Sequence, residues 1–178
     1  MGQLPVGPGA AGWLTQTFSW HAVFWGILPI VVLGALMLER NAVNEAIDIL
    51  QTESFYVESH RRIFDAILGL FRNDQPIDIL TVTEELKKRG ELDLVGGPFY
   101  ISQLTNKVAS SANVEYHARI ISQKHILREL IRISAETMRD AYDDSADVFD
   151  LLDKTEQDIY GITSGNLKRN YEPMSDLI

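Results

Sequence analysis

NVEYHARIISQKHILRELIRISAETMRDAYDDSADVFDLLDKTEQDIYGI, residues 113–162, decides the architecture. From Asn113 to Tyr142 there is neither glycine nor proline, and Tyr116, Ile120, Ile121, Leu127, Leu130, Ile131 and Met138 form an apolar stripe at helical spacing. Apolar residues at that period fall on one side of an α-helix, so a long helix is expected, with Asn113 as its N-cap. Asp143-Asp144-Ser145 interrupts it, and Val148, Leu151, Leu152, Thr155, Ile159 and Ile162 resume the period. Two helices joined by so short a loop run antiparallel. The reading is a helical hairpin over 113–163. Two helices cannot bury both of their sides against each other, so Met138, Tyr142, Val148, Phe149, Leu152 and Tyr160 must meet the rest of the fold or another chain. They are the candidate interface.

Upstream, residues 32–112 read as a small bundle. Leu33, Leu36, Met37, Val43, Ile47 and Leu50 predict one helix from near Val32 to Leu50. Ile63, Phe64, Ile67, Leu68 and Phe71 mark the inner face of a second, bounded by Asn73 and Pro76. Thr81-Val82-Thr83-Glu84 has the spacing of a capping box, and the short helix it opens ends at Gly90. Gly96-Gly97-Pro98 turns the chain into a fourth helix carrying Tyr100, Ile101 and Leu104, with Pro98 in its first position. The fold class is all-α: a small orthogonal helical bundle followed by a long antiparallel helical hairpin. Gly161 to Asn170 reads as a loop, and Glu172-Pro173-Met174-Ser175 as the start of a further helix. Residues 164–178 are thus expected to be a truncated linker.

The first 31 residues are unlike everything after them. Met1 to Leu38 contains no Asp, Glu, Lys or Arg, and it holds all 3 tryptophans of the chain, Trp13, Trp20 and Trp25. Gly7-Pro8-Gly9, Gly12-Trp13-Leu14-Thr15, Phe18-Ser19-Trp20-His21 and Val23-Phe24-Trp25 resemble a fragment of a major facilitator superfamily transporter over about residues 7–30. The resemblance implies a leader foreign to the helical domain, from a fusion or a mis-joined gene model. It also opens a second reading of the whole chain as a membrane-anchored protein with residues 22–38 as the span, since that uncharged run approaches the roughly 20 residues a bilayer requires.

Composition narrows the function. A net charge of -9 over 178 residues argues against a surface built to neutralise phosphates, so strong direct binding of nucleic acid is not expected. The basic residues Arg119, Lys124, Arg128, Arg132 and Arg139 alternate with Glu129, Glu136 and Asp140, as on a solvated helix face. A DNA-binding reading rests only on these and on Lys87-Lys88-Arg89. The chain has no cysteine, which suits the cytoplasm and removes thiolate chemistry. Nothing resembles a phosphate loop or a nucleophile elbow, and His21, His60, His117 and His125 make no convincing metal-binding array: His117 and His125 stand about two helical turns apart, and solvent-facing or capping roles are expected of the histidines. Glu84-Glu85, Asp143-Asp144 and Asp147 sit at helix ends, where acids balance the dipole. No catalytic residue, metal or cofactor is assigned.

Val32-Leu33-Gly34-Ala35-Leu36-Met37-Leu38, Phe55-Tyr56 with His60-Arg61-Arg62-Ile63-Phe64, Asp78-Ile79-Leu80-Thr81-Val82, Gly96-Gly97, Tyr116-His117-Ala118-Arg119-Ile120-Ile121 and Arg128-Glu129-Leu130-Ile131 together resemble the N-terminal domain of DnaB-type replicative DNA helicases. The likeness runs over about residues 32–178. It implies a non-catalytic collar, which pairs through its hairpin, closes into a ring of three-fold character and docks primase, with the ATPase motor absent from this chain. The family's acidic residues before Val-Leu-Gly are replaced here by Pro29-Ile30-Val31.

Purified chain should therefore hydrolyse no ATP and unwind no duplex. Turnover above a tag-only control in a phosphate-release assay would refute that expectation.

Overall fold

The computed structural model describes residues 26–108 and 113–170, with side chains described as far as Ser164. Of the leader expected over residues 1–31, residues 1–25 lie outside the described residues, as does the further helix expected from Glu172, whereas Leu28 to Val31 form the first turn of a helix of the domain.

The first helix, α1, spans Leu28–Leu38 and carries Pro29 in its first turn, where a missing N–H costs no helical bond. It begins four residues before the expected start, and Pro29 is buried while Leu28 and Ile30 pack against the core. The single helix expected from Val32 to Leu50 is in fact two. Glu39 adopts an extended backbone (φ -133°, ψ 122°), and the chain restarts as α2, Arg40–Ile47. The apolar period survives the break because Val43 and Ala46 still turn inward, so periodicity alone gives no sign of it.

A 3-10 turn at Thr52–Ser54 leads to α3, Glu58–Arg72. Ile63, Phe64, Ile67 and Leu70 are buried there, whereas Phe71, expected inside, is partly exposed. Helix α4, Ile79–Lys88, starts before the expected capping box: its cap is Asp78, whose Oδ1 accepts from Thr81 N at 2.9 Å while Thr81 Oγ1 accepts from Asp78 N at 2.9 Å. Gly90 closes it in the left-handed conformation (φ 72°), with Glu91 N donating to Leu86 O at 2.9 Å. Helix α5 spans Gly97–Asn106, with Pro98 one position later than expected.

Helix α6, Val114–Ala141, is the long helix foreseen, although Asn113 in the N-cap position makes no side-chain bond. Helix α7 runs Val148–Asn170 and takes in the segment 161–170 that reads as a loop. Extending a formed helix through Gly161 costs about 1 kcal/mol, far less than nucleating one, and Thr163 Oγ1 returns its hydrogen bond to Ile159 O at 2.9 Å. All described regular elements are helical, as expected.

Helix α1 is the axis of the bundle. Val32, Leu33, Ala35 and Leu36 are fully buried, and α1 packs on α2, α3, α5 and α6. It approaches α5 so closely that a Cβ on Gly34 would collide with the Leu104 carbonyl and the Val108 side chain. An alanine elsewhere in a helix gains about 0.5–1 kcal/mol over glycine. Here the sign reverses: Gly34→Val should destabilise the bundle by about 2 kcal/mol or more, read from urea midpoints at constant slope.

His60 is buried between Phe55 and Tyr100, with its Nε2 2.8 Å from Tyr100 Oη and the two rings stacked. Its Nδ1 is buried without a partner among the described residues. Burial lowers its pKa to about 4, so the folded ring stays neutral where an unfolded histidine, titrating near 6.5, already takes a proton. The unfolded state then binds more protons, and stability falls as pH drops from about 6.5 toward 4. Between pH 7 and pH 5 the loss should be about 2 kcal/mol. Urea titrations of wild type and His60→Gln should differ in that slope; equal slopes would show that His60 is not its source.

Candidate assembly interface

The hairpin is closed at its tip by the acids that break it. Asp143 Oδ1 accepts from Ser145 Oγ at 2.7 Å and from Ser145 N at 2.9 Å, bonds that hold its carboxyl below the usual range. Asp147 caps α7 by accepting from Phe149 N at 2.8 Å. Between the helices, Lys154 Nζ meets Asp140 Oδ2 at 2.7 Å and Thr137 Oγ1 lies 3.3 Å from Thr155 Oγ1. The Lys154 bond, and after it Arg139, depresses the Asp140 carboxyl. These acids serve the turn and the helix seam.

All six interface candidates are exposed, Tyr142 at 85% and Phe149 at 77% being the most open. Met138, Tyr142, Val148, Phe149 and Leu152 lie within about two helical turns of the tip, on both helices. Tyr160 lies about three turns along α7 from Phe149, so the two share a stripe rather than a patch. The structure adds residues that periodicity had assigned to an inner stripe: Tyr116, Leu127, Leu130 and Ile131 of α6 are exposed, as is Ile159 of α7. In α6 only Val114, Ala118, Ile121 and Ile133 are buried. A stripe read from sequence does not say how much of a long helix has something to pack against, and here the bundle covers only the first half.

Three of the basic residues of α6 are answered locally. Arg119 meets Glu115 at 2.7 Å, Arg132 meets Glu136 at 2.8 Å and Glu129 at 3.0 Å, and Arg139 meets Asp140 at 3.1 Å. Arg89 is held by Asp65 and Glu85, each at 2.7 Å. Such pairing leaves little unbalanced cationic face for a phosphate backbone. Among the described residues no three His, Asp or Glu side chains converge as a metal site. His60 and His125, expected near solvent or at caps, are instead buried and half-buried. A cavity of about 470 Å³ lies at the α1/α2 break, lined by Met37, Leu38, Val43, Phe71 and Ile77 with the Arg40–Asp74 pair (3.5 Å) at its edge. It gathers no set of buried polar groups suited to chemistry. No helix among the described residues is long and apolar enough to cross a membrane, and Val32, Leu33, Ala35, Leu36 and Met37 of α1 are already buried in the core.

Residues 30–123, from α1 into the first part of α6, match the model of the DnaB-like helicase N-terminal domain. The chain belongs to this family. Over 151 residues it is 45% identical to the replicative DNA helicase DnaB of Rhodothermus marinus, covering 85% of this chain and 16% of that protein. It is 35% identical over 147 residues to the replicative DNA helicase DnaC of Bacillus subtilis, covering 83% of this chain and 32% of the relative. This chain thus spans about a sixth to a third of the length of such helicases. The crystal structure of the N-terminal domain of DnaB helicase from Mycobacterium tuberculosis superimposes with a TM-score of 0.71 at 32% identity, over 75% of this chain and 94% of that one. A DnaB-like replicative helicase described together with its interactions with primase shares the fold, with a TM-score of 0.61 at 22% identity over 76% of this chain and 31% of its own length. The transporter-like wording of residues 7–30 finds no support in these matches.

Proposed function

We propose that this chain is a non-catalytic collar of a replicative helicase, acting in the cytoplasm, which associates with its own kind through the hairpin and offers the resulting assembly to primase. The observation that carries the reading is the row of exposed apolar side chains flanking the tip, Met138, Tyr142, Val148, Phe149 and Leu152. A free monomer seldom leaves such a cluster open to water, and a helical face of this kind is a common subunit contact. Family membership favours the same use, and a protein of this fold has been described in its interaction with primase.

Burial of apolar area would supply most of the association energy, at roughly 25 cal/mol per Å² before the entropic cost of pairing. Replacing Phe149 and Leu152 by Asp together would place unpaired carboxylates in the contact. The double variant should associate at least about tenfold more weakly in sedimentation, a change of about 1.4 kcal/mol. Primase binding should fall with it, while the circular dichroism of the bundle is kept. Wild-type association and primase binding by the variant would move the partner surface off the hairpin.

A further inference from the structure

Arg128 stands where α6 leaves the bundle. Before it Val114, Ala118 and Ile121 are buried against the bundle; after it only Ile133 is buried, while Leu130, Ile131 and Met138 are exposed. At this exit Arg128 Nη2 donates to Ser54 O at 2.7 Å and reaches Glu53 O at 3.5 Å, both in the 3-10 turn. The guanidinium lies 5.9 Å from the centre of the Tyr56 ring, and Nη2 is 3.5 Å from His125 Nδ1. Arg61 Nε, on α3, donates to Phe55 O at 2.7 Å. Two arginines from two elements therefore grip consecutive carbonyls of one turn. Their charges repel, although Arg61 also meets Glu58 at 3.7 Å and Glu129 favours the Arg128 charge. What each guanidinium gains is a carbonyl that no helix employs, and an arginine does this with a rigid, multi-donor plane. His125, held below its ordinary pKa by burial and then by Arg128, remains neutral beside them near pH 7.

We propose that Arg128 is a positioning residue whose bonds to the Thr52–Ser54 turn set the angle at which the hairpin leaves the bundle. The leverage is large. At a rise of about 1.5 Å per residue the tip lies roughly 20 Å beyond Arg128, so a tilt of about 10° displaces the exposed apolar cluster by about 4 Å. Close-packed contacts do not absorb a shift of that size. Beside these bonds α6 packs on α1, α2 and the 3-10 turn, and Gln157 and Ile162 of α7 line a cleft together with Gln51 and Glu53; packing of this kind holds the helices against the bundle, whereas the Arg128 bonds are directional. The consequence for association rests on the collar reading; the angle itself does not.

The chain has no cysteine, so Lys87→Cys and Ser145→Cys place one spin label on the bundle and one at the tip. Labelled chain is diluted into excess unlabelled chain, so that only distances within a molecule are read. The parent should give one narrow distance distribution. Arg128→Met keeps the apolar stem and removes the guanidinium; it should shift or broaden that distribution by about 3 Å or more while helix content is retained. An unchanged distribution would overturn the proposal. Should that variant fail to fold, Arg128→Leu, which keeps part of the apolar stem and has no donor, is measured instead, and an unchanged distribution there overturns it equally. Sedimentation of the same variants separates the two readings. A changed angle with weakened association supports both, whereas a changed angle with wild-type association supports the positioning role and counts against the tip as the contact.

Discussion

The close crossing of α1 and α5 at Gly34 is the constraint on which the bundle depends. With no side chain at that position, the backbone of α1 lies directly against the Leu104 carbonyl. This lets Leu33 and Leu36 on one helix and Ile101 and Leu104 on the other reach a common core with Phe55, Phe64 and Ile67. A wider spacing would open voids on every side of α1, since α2, α3 and α6 pack on the same helix. The extended backbone at Glu39 serves the same centre: by interrupting the helix, it turns Val43 and Ala46 inward beneath α6.

From that centre the molecule changes character along a single helix. The first half of α6 packs on the bundle and the second half is one arm of a hairpin in which Ile133 is buried but Leu130, Ile131 and Met138 stay exposed. The change occurs around the Arg128 bonds to the 3-10 turn, which tie α6 to the bundle. Beyond them the hairpin is held by its own devices: the Asp140–Lys154 pair, the Thr137–Thr155 contact and the capping carboxylates of Asp143 and Asp147. Polar ties of this kind fix the register of two helices without hiding their apolar faces, which is the condition for using those faces between molecules.

Much of this was legible in the residues. The hairpin, its break at Asp143 and the glycine cap at Gly90 each follow from local chemistry, because breakers and caps act over a few residues and their signals are written there. The break at Glu39 was not legible, since an apolar period continues through it. Nor was the helical course of 161–170, where poor helix formers are carried along by a helix already nucleated upstream. Leu127 and Ile131 misled in the other direction: their spacing marks a helix face without marking what covers it.

What the sequence by itself determined is the class of the fold, the order of its helices, the family to which the chain belongs and the six apolar residues of the hairpin left without an obvious place. The tertiary structure alone decided which part of α6 is core and which is surface, that His60 is sealed against Tyr100, and that Arg128 reaches across to the turn at Ser54. The division has a physical cause. Helix propensity, capping and periodicity act between residues a few positions apart, whereas burial and the Arg128–Ser54 bond depend on segments 74 residues distant that only packing brings together.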